Sequence, residues 1–421
     1  MSTRTFTWRD AGLHSAPLRV LNLATAPLAA MGVKWPSLAP EDLLAAAAKE
    51  TGLDDFGDDT LREPLEALHQ SGDREANLTG FGRMVFRQLI VGALSERLKV
   101  LDWAKRHPEV RDEKIEKPWI ILGLPRTGTT LLSILLGLDP VSRPLVQWEA
   151  SHPTPPPDLA THQEDPRIAK VAKQFEQLEV LNPPIRAMHP FGSTLATECV
   201  TLFAFDLRAL SFETQGLLTT YGDWLEHTDM ASTYAIHKLS LQVLQSRLPT
   251  QSWVLKTPHH LWCIDAMRDA YPDARLIWTH RDPAKVVPSV ASLNTAMHRA
   301  NCSKVDPVEV GSAWDNKLHL AVSRGMEFDD KQAGASWCSH LLYSDLMADP
   351  IAAVARIYAD YGAELHPLHV RRMEIWMNDR SQSAFGRHGY DAVDFGLNLD
   401  GIRSRYAEYI ARYKIDRKSV V

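Results

Sequence analysis

Gly123-Leu124-Pro125-Arg126-Thr127-Gly128-Thr129-Thr130 is a glycine-bracketed loop between two apolar runs, Pro118-Trp119-Ile120-Ile121-Leu122 ahead of it and Leu131-Leu132-Ser133-Ile134-Leu135-Leu136 behind it. The first run is short and uniformly apolar, as a buried strand is, and the second suits a helix packed on a sheet. A loop so placed opens at a helix N-terminus. Free backbone N–H groups and the helix dipole there favour an anion, and glycine lets the backbone approach it closely. The stretch therefore reads as a phosphate cradle.

The nucleotide-binding P-loop runs Gly, four residues, Gly, Lys, then Ser or Thr. This chain keeps Gly123 and Gly128 at that spacing but continues with Thr129 and Thr130. In ATP and GTP enzymes the lysine neutralises the terminal phosphates, so its absence argues against an ordinary nucleotide hydrolase. The cation here is Arg126, inside the loop.

The 421 residues suffice for one large α/β domain with appendages or for two domains, and 45% hydrophobic with 23% charged residues is ordinary for a globular protein. A formal charge of −6 gives no sign of a nucleic-acid surface. Cys199, Cys263, Cys302 and Cys338 are scattered without paired metal-ligand spacing, the pattern of reduced core cysteines in a cytoplasmic protein. No apolar run is long enough for a transmembrane helix. The fairly apolar segment from Pro17 to Val33 reads as an arm packed on the core, with a hydrophobic lid or a weak peripheral membrane contact as alternatives.

From Pro40 to Arg106 the sequence reads as helices. Ala39-Pro40-Glu41-Asp42 starts one and Gly52 ends it; Asp58-Asp59-Thr60 precedes the next, and Ser71-Gly72-Asp73 is expected to break it. Residues 1–112 are thus expected to form a helical N-terminal region or cap, and residues 113–421 an α/β domain. In the latter, further strands are expected at Ser252-Trp253-Val254-Leu255, at Ala274 to Thr279 and at Cys338 to Tyr343, with helices between them. Short apolar strands alternating with helices imply a parallel sheet flanked by helices.

Immediately after the third expected strand comes His280-Arg281-Asp282-Pro283-Ala284-Lys285-Val286-Val287-Pro288-Ser289. Arg281 then sits at a strand's C-terminal end, where open α/β sheets bind ligands. Ser289, eight positions on, falls early in the next helix. An arginine and a hydroxyl at one strand end suit a second phosphate.

With both motifs in hand, the chain resembles sulfotransferases that use 3′-phosphoadenosine 5′-phosphosulfate (PAPS), and most of all their bacterial sulfotransferase-like branch. In that family a Pro-Lys/Arg-Ser/Thr-Gly-Thr-Thr loop holds the 5′-phosphosulfate, matched by Pro125, Arg126, Thr127, Gly128, Thr129 and Thr130. An arginine and, eight residues later, a serine hold the 3′-phosphate, matched by Arg281 and Ser289. The likeness runs from about Lys117 to Leu397 and takes in Tyr343-Ser344-Asp345-Leu346 and His388-Gly389-Tyr390. It implies a P-loop-like fold, PAPS as donor with its bisphosphate (PAP) as product, Tyr343 on the donor, and no metal.

The resemblance also implies roles at the reacting centre. Lys256, after the second expected strand, matches the lysine that stabilises charge on the bridging oxygen, and Arg126 shares the catalytic charge. Glu149, in Gln147-Trp148-Glu149, is the first choice for the base that takes the acceptor's hydroxyl proton, since a glutamate follows the loop at about this distance in sulfotransferases of tyrosine and carbohydrate. Glu198 is an alternative base or acceptor anchor. In the small-molecule branch a histidine just after the lysine is the base; here Pro258 intervenes and the candidates are His259 and His260, as bases, acceptor contacts or helix caps. Arg387 matches part of a basic loop that closes over the donor. Trp148, Met188, Phe191, Phe203, Phe205 and Trp224 offer an apolar pocket for a small lipophilic hydroxyl acceptor. An ATP-dependent phosphotransferase and a non-catalytic sulfonucleotide-binding protein are the competing readings.

Overall fold

The computed structural model describes residues 5–12, 15–182, 191–332, 334, 336–379 and 387–416. At its centre is a five-stranded sheet: β1 (Trp119–Gly123), β2 (Ser142–Pro144), β3 (Ser252–Lys256), β4 (Arg275–His280) and β5 (Ser339–Leu342). The spatial order is β2-β3-β1-β4-β5 and every neighbouring pair is parallel. The register sets Ile121 beside Lys256 and Gly123 beside Thr279. The carboxyl ends of the three middle strands thus meet at one edge.

The central strands are apolar on both faces because helices cover both. Trp119, Ile121, Val254, Ile277 and Leu341 join one core, and Ile120, Leu122, Leu255, Leu276 and Trp278 join the other. This two-faced burial turns a strand's alternation into a continuous apolar run. The expected sheet is present with one addition. Ser142-Arg143-Pro144, with no apolar pattern, is an edge strand held to Ser252-Trp253-Val254.

Four helices precede the sheet: α1 (Ala16–Ala30), α2 (Pro40–Thr51), α3 (Arg62–Arg74) and α4 (Gly80–Arg106). Gly52 ends α2 in the left-handed conformation, φ 71°, as its sequence position suggests. The expected break at Ser71-Gly72-Asp73 is not there, since α3 runs through to Arg74. Ser71 and Gly72 are buried, and a Cβ on Gly72 would lie 2.8 Å from both Leu38 and Phe86. That glycine serves close helix packing rather than a turn.

Beyond β1 come α5 (Thr129–Gly137), α6 (Gln147–Ser151), α7 (Pro166–Leu181), α8 (Ala231–Gln245), α9 (Pro283–Asn301) and α10 (Pro307–Lys331), with shorter elements between and after them. Helices α2, α3 and α4 share one apolar core with one face of the sheet and with α8. A buried ionic hub reinforces the join: Asp206 accepts from Arg97 of α4 at 2.8 Å, from Arg208 at 2.8 Å and from Ser232 and Thr233 of α8 at 2.7 and 2.8 Å. The N-terminal region is not helical throughout either. Thr5–Phe6 pairs in parallel with Arg387–His388, and Gly389 N–H donates to the Phe6 carbonyl at 2.8 Å. Among the described residues no helix is long and apolar enough to cross a membrane.

Candidate active site

The loop after β1 is shaped by two left-handed residues, Arg126 at φ 68° and Gly128 at φ 88°. Gly123, at φ 132°, lies so close to β4 that a Cβ would collide with the hydroxyl and carbonyl of Thr279. Gly128 is the N-cap of α5, and no side chain caps that helix. The first N–H groups of a helix have no intrahelical partner. Those of α5 therefore face the loop's concavity with nothing but backbone conformation to define them, which is how an anion cradle is built.

Thr127 is fully buried, and its hydroxyl lies 2.6 Å from both the Leu124 carbonyl and the Thr279 hydroxyl. Thr279 also donates to the Leu122 carbonyl at 3.1 Å. These bonds form a clamp that fixes the loop to β4. Thr279 is a residue the sequence reading missed; only the strand register reveals it. Thr129 and Thr130 begin α5, Thr129 buried and Thr130 partly so.

Arg281, just past β4, donates to the Arg126 carbonyl at 2.8 Å and packs over the Tyr343 ring at 4.0 Å. Its Nε is buried with no hydrogen-bond partner. Burial first, and then the Arg281 charge, lower the pKa of Arg126, with Tyr390 and Tyr343 opposing. The Arg281 charge close to Arg126, beside an uncapped helix start, suits an anion. Ser289 is buried in the second turn of α9. An orphaned arginine N–H and a buried hydroxyl beyond one strand end suit an anion.

The segment ahead of Tyr390 closes this corner. His388 Nε2 lies 2.9 Å from the Ser292 hydroxyl of α9, and the Tyr390 hydroxyl donates to the Lys285 carbonyl at 3.2 Å. Burial, and secondarily Arg126, push His388 down to about 4. The backbone of Arg387 pairs with Thr5; its side chain, like Met188, lies outside the described residues.

Lys256, the last residue of β3, is buried and its Nζ is 3.1 Å from Glu198 Oε1. Glu198 is bracketed by backbone bonds to two strand ends: Thr197 N–H donates to Leu145 and Cys199 N–H to Lys256, both at 2.8 Å. Its side chain keeps 25% exposure, so it borders solvent beside a buried cation.

Glu149 has a different place. Its Oε1 accepts from Arg143 of β2 at 2.8 Å, and that arginine lies over the Trp253 ring and donates to the Leu244 and Leu248 carbonyls. Arg143 is in register with Trp253, three residues back along the strand from Lys256. Burial raises the pKa of Glu149, opposed by Arg143, His162 and Arg167. Lys256 is not among its cationic neighbours, so the structure brings Glu198, not Glu149, to the lysine.

Other acceptor-side candidates are interior residues. His259 and His260 are 2% and 0% exposed and, with Tyr234 and His237, ring Phe203 edge-on at 5.1–5.6 Å. Burial pushes His259 down to about 3, aided by Lys317 and Arg324, and holds His260 well below the usual histidine value. Neither ring is exposed for an acceptor, and such weak bases do not suit proton abstraction near neutrality. Trp148 is buried with the Arg167 guanidinium 4.8 Å over its ring, and Phe205 is core. Trp224 is half-buried beside Arg208, and Phe191 stacks on Phe175 of α7 at 4.7 Å. A cavity of about 680 Å³ lies between α8, α10 and the turn after β3, with His259 in its wall but neither Lys256 nor the loop. Among the described residues no group of three or more His, Cys, Asp or Glu is placed to hold a metal ion.

A model described as the sulfotransferase family matches residues 118–367. The structure is similar to sulfotransferase STF9 from Mycobacterium avium, 32% identical, covering 92% of this chain and 100% of that one with a TM-score of 0.83. It is also similar to sulfotransferase STF1 from Mycobacterium tuberculosis H37Rv, 31% identical over 88% and 98% of the two chains, TM-score 0.78. Among curated proteins it matches omega-hydroxy-beta-dihydromenaquinone-9 sulfotransferase Stf3 of Mycobacterium tuberculosis, 25% identical over 173 residues. That match spans 39% of this chain and 41% of the relative.

Proposed function

Because the chain belongs to the sulfotransferase family, we propose that it moves a sulfuryl group from PAPS to the hydroxyl of a small lipophilic acceptor. The observation that carries the reading is the juxtaposition of Arg126 and Arg281, the Arg281 guanidinium donating to the Arg126 backbone carbonyl at 2.8 Å beside the uncapped start of α5. One cation suits the 5′-phosphosulfate and the other, with Ser289, the 3′-phosphate that ATP lacks. Pro125 and the Thr129-Thr130 backbone complete the cradle, and Tyr343 buttresses Arg281.

PAPS supplies an activated sulfur–oxygen bond; the protein positions and neutralises. The helix start and Arg126 hold the sulfuryl oxygens while the acceptor oxygen attacks in line. A new S–O bond forms to the acceptor, the S–O bond to the donor's phosphate breaks, and Lys256 takes up the charge on the departing oxygen. The acceptor proton passes to a glutamate. We assign this base to Glu198, since its carboxylate is 3.1 Å from Lys256, the residue that meets the departing oxygen, and borders solvent. One observation favours Glu149 instead: its Oε2 is buried without a partner and its pKa is raised, as a base requires.

A lipophilic acceptor is in keeping with the relative named for omega-hydroxy-beta-dihydromenaquinone-9. The four free cysteines suit a reducing, cytoplasmic setting.

PAP should raise the melting temperature more than ATP with magnesium does; a ligand at about 100 times its dissociation constant stabilises by about 2.7 kcal/mol. No shift with PAP, or an equal shift in Arg281→Ala, refutes the donor assignment. With labelled donor and hydroxylated lipids, Glu198→Gln should lose roughly 10²–10⁴-fold in turnover with PAP binding intact. The same loss in Glu149→Gln alone moves the base there, and PAP binding without turnover toward any acceptor favours a sulfonucleotide-binding protein.

A further inference from the structure

Helix α1 is built inside out. Its polar side chains turn to the protein: Asn22 Oδ1 accepts from the Phe81 N–H of α4 at 2.9 Å, and Thr25 packs on Gly80 with its hydroxyl donating to the Leu21 carbonyl at 2.9 Å. Several of its apolar side chains turn outward, while Leu18 and Leu21 are half-buried. Val20 is 64% exposed and Leu23 74%, and the patch continues past the helix through Met31 at 71%, Val33 at 50% and Trp35 at 49%. None of the described side chains of α1 is buried. A surface helix in water carries the opposite arrangement, with its apolar stripe on the core.

The charges say what covers this face. Between Asp10 and Glu41 the sequence contains no carboxylate, while Arg19 and Lys34 add positive charge in a chain whose net charge is −6. Arg19 is the single charged residue of α1; Lys34, beside Trp35, lies 3.4 Å from Asp73 and keeps 45% exposure. An apolar face with a basic edge and a terminal tryptophan matches a bilayer boundary, where aliphatic side chains enter the acyl region, tryptophan sits at the headgroups and cations meet anionic lipid.

We propose that α1 and the segment to Trp35 dock the protein on an anionic membrane surface. The helix lies in the interface, with Val20, Leu23 and Met31 inserted. It goes beyond the transfer reaction and does not depend on it, but it accounts for how an acceptor dissolved in a bilayer is reached.

The test is co-sedimentation of the full chain with vesicles of phosphatidylcholine containing phosphatidylglycerol, and with vesicles of phosphatidylcholine alone. The protein should partition to the anionic vesicles. The double variant Leu23→Asp, Met31→Asp should bind about tenfold or more weakly. Arg19→Gln should lose about fivefold on anionic vesicles only. Since these side chains are exposed, the melting temperature and the PAP shift should not change, which separates failure of this docking from failure of the donor assignment. Absence of wild-type binding, or equal binding by the double variant, overturns the proposal. So does a wild-type dimer in size-exclusion light scattering that the double variant abolishes while vesicle binding stays the same, since the face would then join two copies.

Discussion

Acidification should unfold this protein through histidines, and the cost follows from the ring of aromatic groups around Phe203. His237 and His259 are buried, with ring centroids 5.3 and 5.4 Å from Phe203, and burial pushes each down to about 3. An unfolded histidine titrates at about 6.5. The folded form therefore binds fewer protons than the unfolded form between those values. Stability is intact above the unfolded value and is lost as the pH falls toward the folded one. One pH unit is worth about 1.36 kcal/mol per group, so at about pH 5 each ring costs roughly 2 kcal/mol and the pair about 4. That is a large part of a typical total of about 5–15 kcal/mol. Urea unfolding at about pH 7.5 and pH 5 measures it. In His237→Phe the loss between the two pH values should shrink by about 2 kcal/mol, whatever the variant's stability at neutral pH. An undiminished loss in that variant, or a wild-type midpoint that does not move, refutes the reasoning and reopens a protonatable His259.

Asp206→Ala leaves Arg97 and Arg208 buried without their shared carboxylate and should destabilise by about 3–5 kcal/mol, read as a lower urea midpoint. Thr127→Val removes the hydroxyl between the Leu124 carbonyl and Thr279; it should cost about 1–3 kcal/mol and weaken PAP binding, checked by calorimetric titration. Lys256→Met should lower kcat by about 10²–10³-fold with PAP affinity within about threefold, because the charge it stabilises appears only as the donor bond breaks.

What the sequence discloses here is what local chemistry dictates. The strands of the sheet centre are legible because burial on both faces writes them as apolar runs, and the loop because glycine spacing and an uncapped helix start are local features. The edge strand Ser142-Arg143-Pro144 is hidden, since only pairing with β3 makes it a strand. Ser71-Gly72-Asp73 misleads because a buried helix contact and a turn both call for small residues. The carboxylates are the sharpest case. Glu149 and Glu198 both sit next to apolar residues in sequence, and it takes Arg143 on one strand and Lys256 on the next to tell them apart. The Lys256–Glu198 contact joins residues 58 positions apart, for which no spacing rule exists.

The parallel pairing of Thr5–Phe6 with Arg387–His388, with the Trp8–Asp394 bond beside it, also sets an order of events during synthesis. That bond joins residues 386 positions apart. At about 5–20 residues per second, the first strand leaves the ribosome roughly 20–80 seconds before its partner exists. The phosphate cradle can form in a nascent chain, but the corner that His388 and Tyr390 close over Arg126 cannot. A nascent chain that stops short of His388 therefore has this corner open on one side, and it closes only after Tyr390 has been made.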